Sequence, residues 1–181
     1  MEESEAISRL KRGDIGGLES LVMLYQGQAL RVAYLTTRDY ALAEDVVQAS
    51  FLRAYERIAQ FDSSKRFGPW FIRSVINNSI TAVRSRPGQY LELEADDEFD
   101  LPSPDPSLVE MLEMAEIKSE ILSALDKLPP KERAAIVMRY YLDWDDAEVS
   151  QRLLIPAGTV RRRLHDARRR LRRLLPSYRQ G

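Results

Sequence analysis

The stretch GTVRRRLHDARRRLRRLL, residues 158–175, carries nine basic side chains: Arg161, Arg162, Arg163, His165, Arg168, Arg169, Arg170, Arg172 and Arg173. The chemistry open to such a cluster is anion and base recognition, because a planar guanidinium donates two parallel hydrogen bonds to a phosphate or to a guanine edge. Val160, Leu164, Ala167, Leu171 and Leu174 recur at steps of four and three. That spacing puts one apolar stripe on a helix and leaves the arginines the remaining face. Three uses of the charge compete: a solvated face, a membrane-surface helix and a reader of nucleic acid. A solvated face interleaves acids with bases, yet only Asp166 interrupts here, four residues from both Arg162 and Arg170. The pairs Arg168/Arg172 and Arg169/Arg173 each destabilise an isolated helix by about 0.2–0.5 kcal/mol, a repulsion that a polyanion relieves. An interfacial helix would carry Trp or Phe in its apolar stripe, and this one has neither. Nucleic acid is the favoured ligand.

A second patterned stretch, ALAEDVVQASFLRAYERIAQF, places Glu44, Asp45 and Gln48 near the start of a helix. Two acids there also suit the helix dipole without any further role. Other chemistries lack their residues. The 181-residue chain has no cysteine and one histidine, so neither a thiolate zinc site nor a cysteine or histidine catalytic pair is expected. It has no glycine-rich phosphate loop and no apolar run long enough to span a bilayer. The N-terminus MEESEAISRLKRGD begins acidic, unlike a secretory signal. A soluble, cytoplasmic protein without cofactor, metal or membrane insertion is expected.

The elements that must position these residues read as helices throughout. Helices are expected over 4–12, 15–37 and from an Asp39 N-cap through Ala59, then again from Trp70 after a break at FDSSKRFGP. The net charge of −1 conceals segregation. Residues 92–116 hold ten acids and no base, while residues 131–181 hold thirteen Lys and Arg against six acids. Pro102, Pro104 and Pro106 within the acidic segment favour an extended linker. The expected fold is all-α: two small helical domains, residues 1–88 and 108–181, joined by a flexible acidic linker at 89–107. In the second domain, Asp145 and Glu148 have capping-box spacing, with Trp144 and Val149 as a hydrophobic staple. That short helix, a break at LIPAG and the arginine helix match a helix-turn-helix.

The succession AEDVVQASFLRAYERIAQF, FGPWFIRSVINN, LDKLPPKERAAIVMRYYL and IPAGTVRRRLHDARRRL resembles the bacterial extracytoplasmic-function sigma factors. The resemblance covers about residues 5–88 and 108–175. It implies a region 2 that binds core RNA polymerase and opens the promoter −10 element, and a region 4 that reads −35. By position, it implies that Glu44, Asp45 and Gln48 dock on the polymerase clamp. It likewise implies that Lys65 and Arg66 hold phosphate and that Phe67 and Trp70 wedge or stack bases, a contact worth about 1–3 kcal/mol per base. Trp70 also has the spacing of a packed core residue. Asn77 would face a flipped-out base, with Arg53, Arg57, Arg73 and Arg84 along the single-strand path. Thr159, Arg161, Arg162, Arg163, His165 and Arg168 would read −35. Core polymerase, promoter DNA and an anti-sigma factor are the implied partners, and no enzymatic activity is implied.

The chain departs from the family pattern at Thr81, where aspartate is frequent, and at Leu154, where the turn commonly has a small or polar residue. It has DWDD before the short helix, Arg162 for a frequent serine and Asp166 for a frequent arginine. A stand-alone helix-turn-helix regulator is the alternative; it would bind DNA tightly without polymerase.

Overall fold

The computed structural model describes residues 3–85 and 108–175, the latter with side chains from Ala115 onward. Every regular element among them is helical. The acidic linker expected at 89–107 lies outside the described residues.

The first group contains α1 (Glu3–Lys11), α2 (Gly16–Thr37), α3 (Tyr40–Arg57) and α4 (Phe67–Arg84), with a 3₁₀ turn at Ile58–Gln60. Gly13 closes α1 with φ +84°, a value a residue with a Cβ rarely adopts. A Cβ on Gly17 would fall 2.3 Å from the Ala6 carbonyl oxygen, so glycine is what lets α1 and α2 cross at backbone contact. Asp39 caps α3 by accepting from the Leu42 N–H at 2.8 Å, as its position before the apolar repeat predicts. The core of this group is aromatic. Phe51 and Phe71 lie 4.4 Å apart, and Phe67 stacks on Phe71 at 5.5 Å.

The second group contains α5 (Leu108–Asp126), α6 (Pro130–Ile136), α7 (Asp146–Leu153) and α8 (Ala157–Leu174). Pro130 stands in the first turn of α6, where its missing N–H costs no helix bond. Beyond Ile136 the chain widens into a π-helical turn, Val137–Tyr141, closed by Leu142 N–H donating to the Val137 carbonyl at 3.1 Å. The sequence periodicity did not predict that widening.

The two groups pack together, α6 against α2 and α4, and α7 against α4. An ion cluster joins them. Arg38, in left-handed conformation at the end of α2 (φ 61°), places Nε 2.6 Å from Asp126 Oδ1. Arg133 Nη1 lies 3.7 Å from the same oxygen. The Arg38 and Arg133 side chains are 7 % and 2 % exposed, while half of Asp126 remains in water.

Candidate nucleic-acid interface

The capping box forms at the start of α7. Glu148 N–H donates to Asp145 Oδ1 at 2.7 Å, and Asp145 N–H donates to Glu148 Oε2 at 3.0 Å. Trp144 and Val149 are both buried. The Asp145 N–H, then the Arg152 guanidinium, hold the Glu148 carboxyl below the usual carboxylate range. The turn follows at Leu154, with φ 54° and ψ 45°. It is held by Ser150 Oγ donating to the Ile155 carbonyl at 2.7 Å. The departure at Leu154 therefore leaves an ordinary left-handed turn, made by a side chain that is 75 % exposed.

On α8, Val160, Leu164 and Ala167 are buried, and Leu171 packs against the same core. Arg161, Arg162, His165 and Arg168 are exposed along the opposite side, with Thr159 and Arg163 partly buried at its edges. Desolvation, then Arg162, lowers the Arg163 pKa from its ordinary value. Two arginines are tied to the scaffold. Arg168 Nε donates to the Tyr140 hydroxyl at 2.9 Å, and Arg170 Nε lies 3.1 Å from Glu132 Oε2 on α6. Asp166 pairs with Arg169 at 3.5 Å. Asp166 thus meets Arg169 on its own helix, while Glu132 of α6 faces Arg170.

In the first group, α4 presents a polar stripe at helical spacing: Arg66, Trp70, Arg73, Asn77, Thr81 and Arg84. Arg66, Asn77, Thr81 and Arg84 are exposed; Trp70 and Arg73 are partly buried. Exposed Arg53 of α3 reaches this helix by donating to Asn78 Oδ1, and Asn78 Nδ2 donates to Ser50 Oγ at 2.9 Å. Lys65 is 75 % exposed on the loop before α4. Phe67 requires a correction. Its ring is 0 % exposed, against Tyr25, Phe61, Trp70 and Phe71. The sequence places FGP in a break, yet α4 begins at Phe67 and turns that ring into the core. In this conformation it supports Trp70, 5.4 Å away, and presents no face to a base.

Glu44, Asp45 and Gln48 are all exposed on α3, and Phe51 behind them is buried. Leu52 and Tyr55 extend the exposed face by further helical turns, Leu52 at 61 % exposure.

Comparison with known proteins explains this layout. Residues 21–87 match the family profile of sigma-70 region 2, and residues 118–171 match that of sigma-70 region 4. The chain is 30 % identical to the ECF RNA polymerase sigma factor SigW of Bacillus subtilis, covering 93 % of this chain and 94 % of the relative. The chain belongs to the extracytoplasmic-function sigma factors of RNA polymerase. It is also 30 % identical to the ECF sigma-E factor of Haemophilus influenzae, covering 93 % and 92 % of the two chains. The fold of this sigma factor is shared by CnrH in complex with the cytosolic domain of CnrY (TM-score 0.66, 21 % identity, 97 % and 98 % covered). It is shared by the Bartonella quintana sigma factor RpoE in complex with the anti-sigma factor NepR (TM-score 0.66, 19 % identity, 89 % and 98 % covered). The α7–α8 pair lies within the region 4 match, and α3 and α4 lie within region 2.

No helix among the described residues of the sigma factor is long and apolar enough to cross a membrane. The sequence pattern did not single out Leu52 or Asn78. Leu52 was open to view, one turn beyond Gln48. The Asn78 bonds depend on the approach of α3 to α4, which no local pattern encodes.

Proposed function

We propose that the chain directs promoter-specific initiation as two readers carried on core RNA polymerase. Residues 1–88 dock through Glu44, Asp45 and Gln48 on the clamp, and open the −10 element along the α4 stripe. Lys65 and Arg66 hold phosphate, Trp70 stacks a base, Asn77 reads a flipped base edge, and Arg53 and Arg73 line the strand. Phe67 braces Trp70 from beneath. Residues 108–181 read −35, with Thr159, Arg161, Arg162, Arg163 and His165 at base edges and Arg168 at the backbone. Residues 89–107 span the gap, so each reader raises the effective concentration of the other. The observation that carries this reading is the two-sidedness of α8, whose apolar face is buried while Arg161, Arg162 and His165 stand free. The bond-making chemistry is left to the polymerase.

This activity belongs in the cytoplasm, where polymerase and promoter are. Solved relatives of the same fold hold an anti-sigma factor or a cytosolic partner domain, and we assign this chain such a partner, covering the same docking faces. Transcription by core polymerase with and without the purified chain, on a defined promoter recovered from its own genome, tests the reading. Start sites that depend on the chain are expected; tight promoter binding without polymerase would favour the stand-alone regulator instead.

A further inference from the structure

We propose that Glu3 and Lys11 of α1 are positioning residues for the −10 reader, gripping both ends of the loop that carries Lys65 and Arg66. The proposal rests on the assignment of that loop to −10 DNA. Helix α1 lies outside the residues that match region 2, 21–87.

The loop runs from Phe61 to Arg66 between the 3₁₀ turn and α4. At its start, Lys11 Nζ donates to the Phe61 carbonyl at 2.6 Å and to Ser63 Oγ at 2.8 Å. At its end, the Phe67 N–H donates to Glu3 Oε1 at 3.0 Å, and the Tyr25 hydroxyl donates to Glu3 Oε2. Eight residues of helix separate the two grips, a rise of about 12 Å, so α1 lies along the loop as a strut. The contacts supply what the loop and α4 lack. Arg66 stands at the N-cap of α4 in extended conformation with no side-chain cap bond. One orphan N–H of the reading helix is therefore satisfied by a residue 64 positions earlier. A carboxylate there also meets the positive end of the helix dipole. The strut lies close against α2, where Gly17 leaves room for backbone contact with Ala6. Between the grips the loop makes its own turn, Ser64 donating N–H and hydroxyl to Asp62 Oδ1 at 3.0 and 2.7 Å. Lys65 and Arg66 are left exposed beyond it. The direction in which these two cations point thus depends on α1.

The test uses polymerase reconstituted with the full chain carrying Glu3→Ala, Glu3→Gln, Lys11→Met or Arg66→Ala. Permanganate reactivity of −10 thymines reads the rate of opening on a duplex promoter. Affinity for core enzyme, −35 affinity and thermal stability are measured alongside. Glu3→Ala and Lys11→Met should slow opening about tenfold, the worth of one charge-assisted hydrogen bond. Core and −35 affinities should stay at the wild-type level. Glu3→Gln should restore most of the rate, since its amide oxygen still accepts from Phe67 N–H. Wild-type opening in Glu3→Ala beside slowed opening in Arg66→Ala would overturn the proposal alone. A Glu3→Ala loss spread equally over opening and core affinity, or one that Glu3→Gln fails to rescue, would also overturn it. Unchanged opening in Arg66→Ala would overturn the −10 assignment, and the proposal with it. Amide exchange at Phe67 in the free chain gives a readout without DNA: faster exchange in Glu3→Ala is expected, and unchanged exchange contradicts the grip.

Discussion

Tyr25 ties α2 to the first residue of α1 through one contact, its hydroxyl donating to Glu3 Oε2. Burial, then its hydrogen bond to Glu3, pushes the Tyr25 hydroxyl up to about 12 from an ordinary 10.0. A raised folded value means that the contribution is fully present below pH 10 and is lost as pH climbs through about 12. In an absorbance titration of the phenolate band, Tyr25→Phe should remove a component that ionises near 12. A Cβ on Gly68 would lie 2.8 Å from Tyr25 Cε1 and 3.0 Å from its oxygen. Alanine is the better helix former by about 1 kcal/mol, yet Gly68→Ala should destabilise the protein by about 1–2 kcal/mol through overpacking. Urea unfolding measures the sign, and a gain in stability would contradict the packing described. At this scale the sequence was only partly legible. Exposure of Glu44, Asp45, Gln48, Arg161 and His165 follows from helical spacing. The burial of Phe67 does not, because a Phe-Gly-Pro string reads as a loop until tertiary contacts make it the first turn of α4. The grip of Glu3 on Phe67 was equally hidden, since residues so far apart share no local pattern.

The helix-turn-helix is the element whose sequence speaks most directly. Its capping box was visible as Asp145 and Glu148, and both bonds form. Asp145→Ala should cost about 1 kcal/mol, read as a lower Tm. The Glu148 carboxyl is depressed below its ordinary 4.5. Its contribution is therefore present above that value and lost as pH falls through the folded pKa. Glu148→Gln should therefore be less stable than wild type at neutral pH, with the difference vanishing as pH falls through the folded pKa; urea unfolding across that range measures it, and equal stability at neutral pH would contradict the pairing. Leu154 runs the other way, because a side chain in left-handed conformation carries a strain of about 1–2 kcal/mol. Leu154→Gly should raise Tm by relieving part of it, and a fall in Tm would show that the exposed side chain contributes more than the strain costs. Helix α2 spans Gly16–Thr37 against an expected 15–37, and α3 starts at the expected Asp39 cap but ends at Arg57, the chain tightening into the 3₁₀ turn before the expected end at Ala59. The π-helical turn at Val137–Tyr141 was not legible, because it changes the hydrogen-bond step without changing residue type. The Arg170–Glu132 pair was missed for a related reason: charge spacing along one helix says nothing of a neighbouring helix.

Among the described residues, the Arg38–Asp126–Arg133 cluster is an ionic contact between the first helical group and the second. Charge segregation and the proline-rich spacer made two units legible, but not this packing of α6 against α2 and α4. Asp126→Ala leaves two buried guanidinium groups without their carboxylate. It should destabilise the free chain by roughly 1–3 kcal/mol, less than a fully buried pair would, because Asp126 is half in water. Solution scattering should then show a larger radius of gyration; an unchanged radius would mean that apolar contact alone holds the halves. On the function proposed above, two readers at a fixed separation act together on polymerase. Run-off transcription with core polymerase and this chain, on a library randomised across −35, spacer and −10, measures that directly. Two enriched elements at one preferred spacing are predicted, the −35 preference relaxing in Arg161→Ala and the −10 preference in Asn77→Ala. Enrichment of a single element, or of none, would contradict the account.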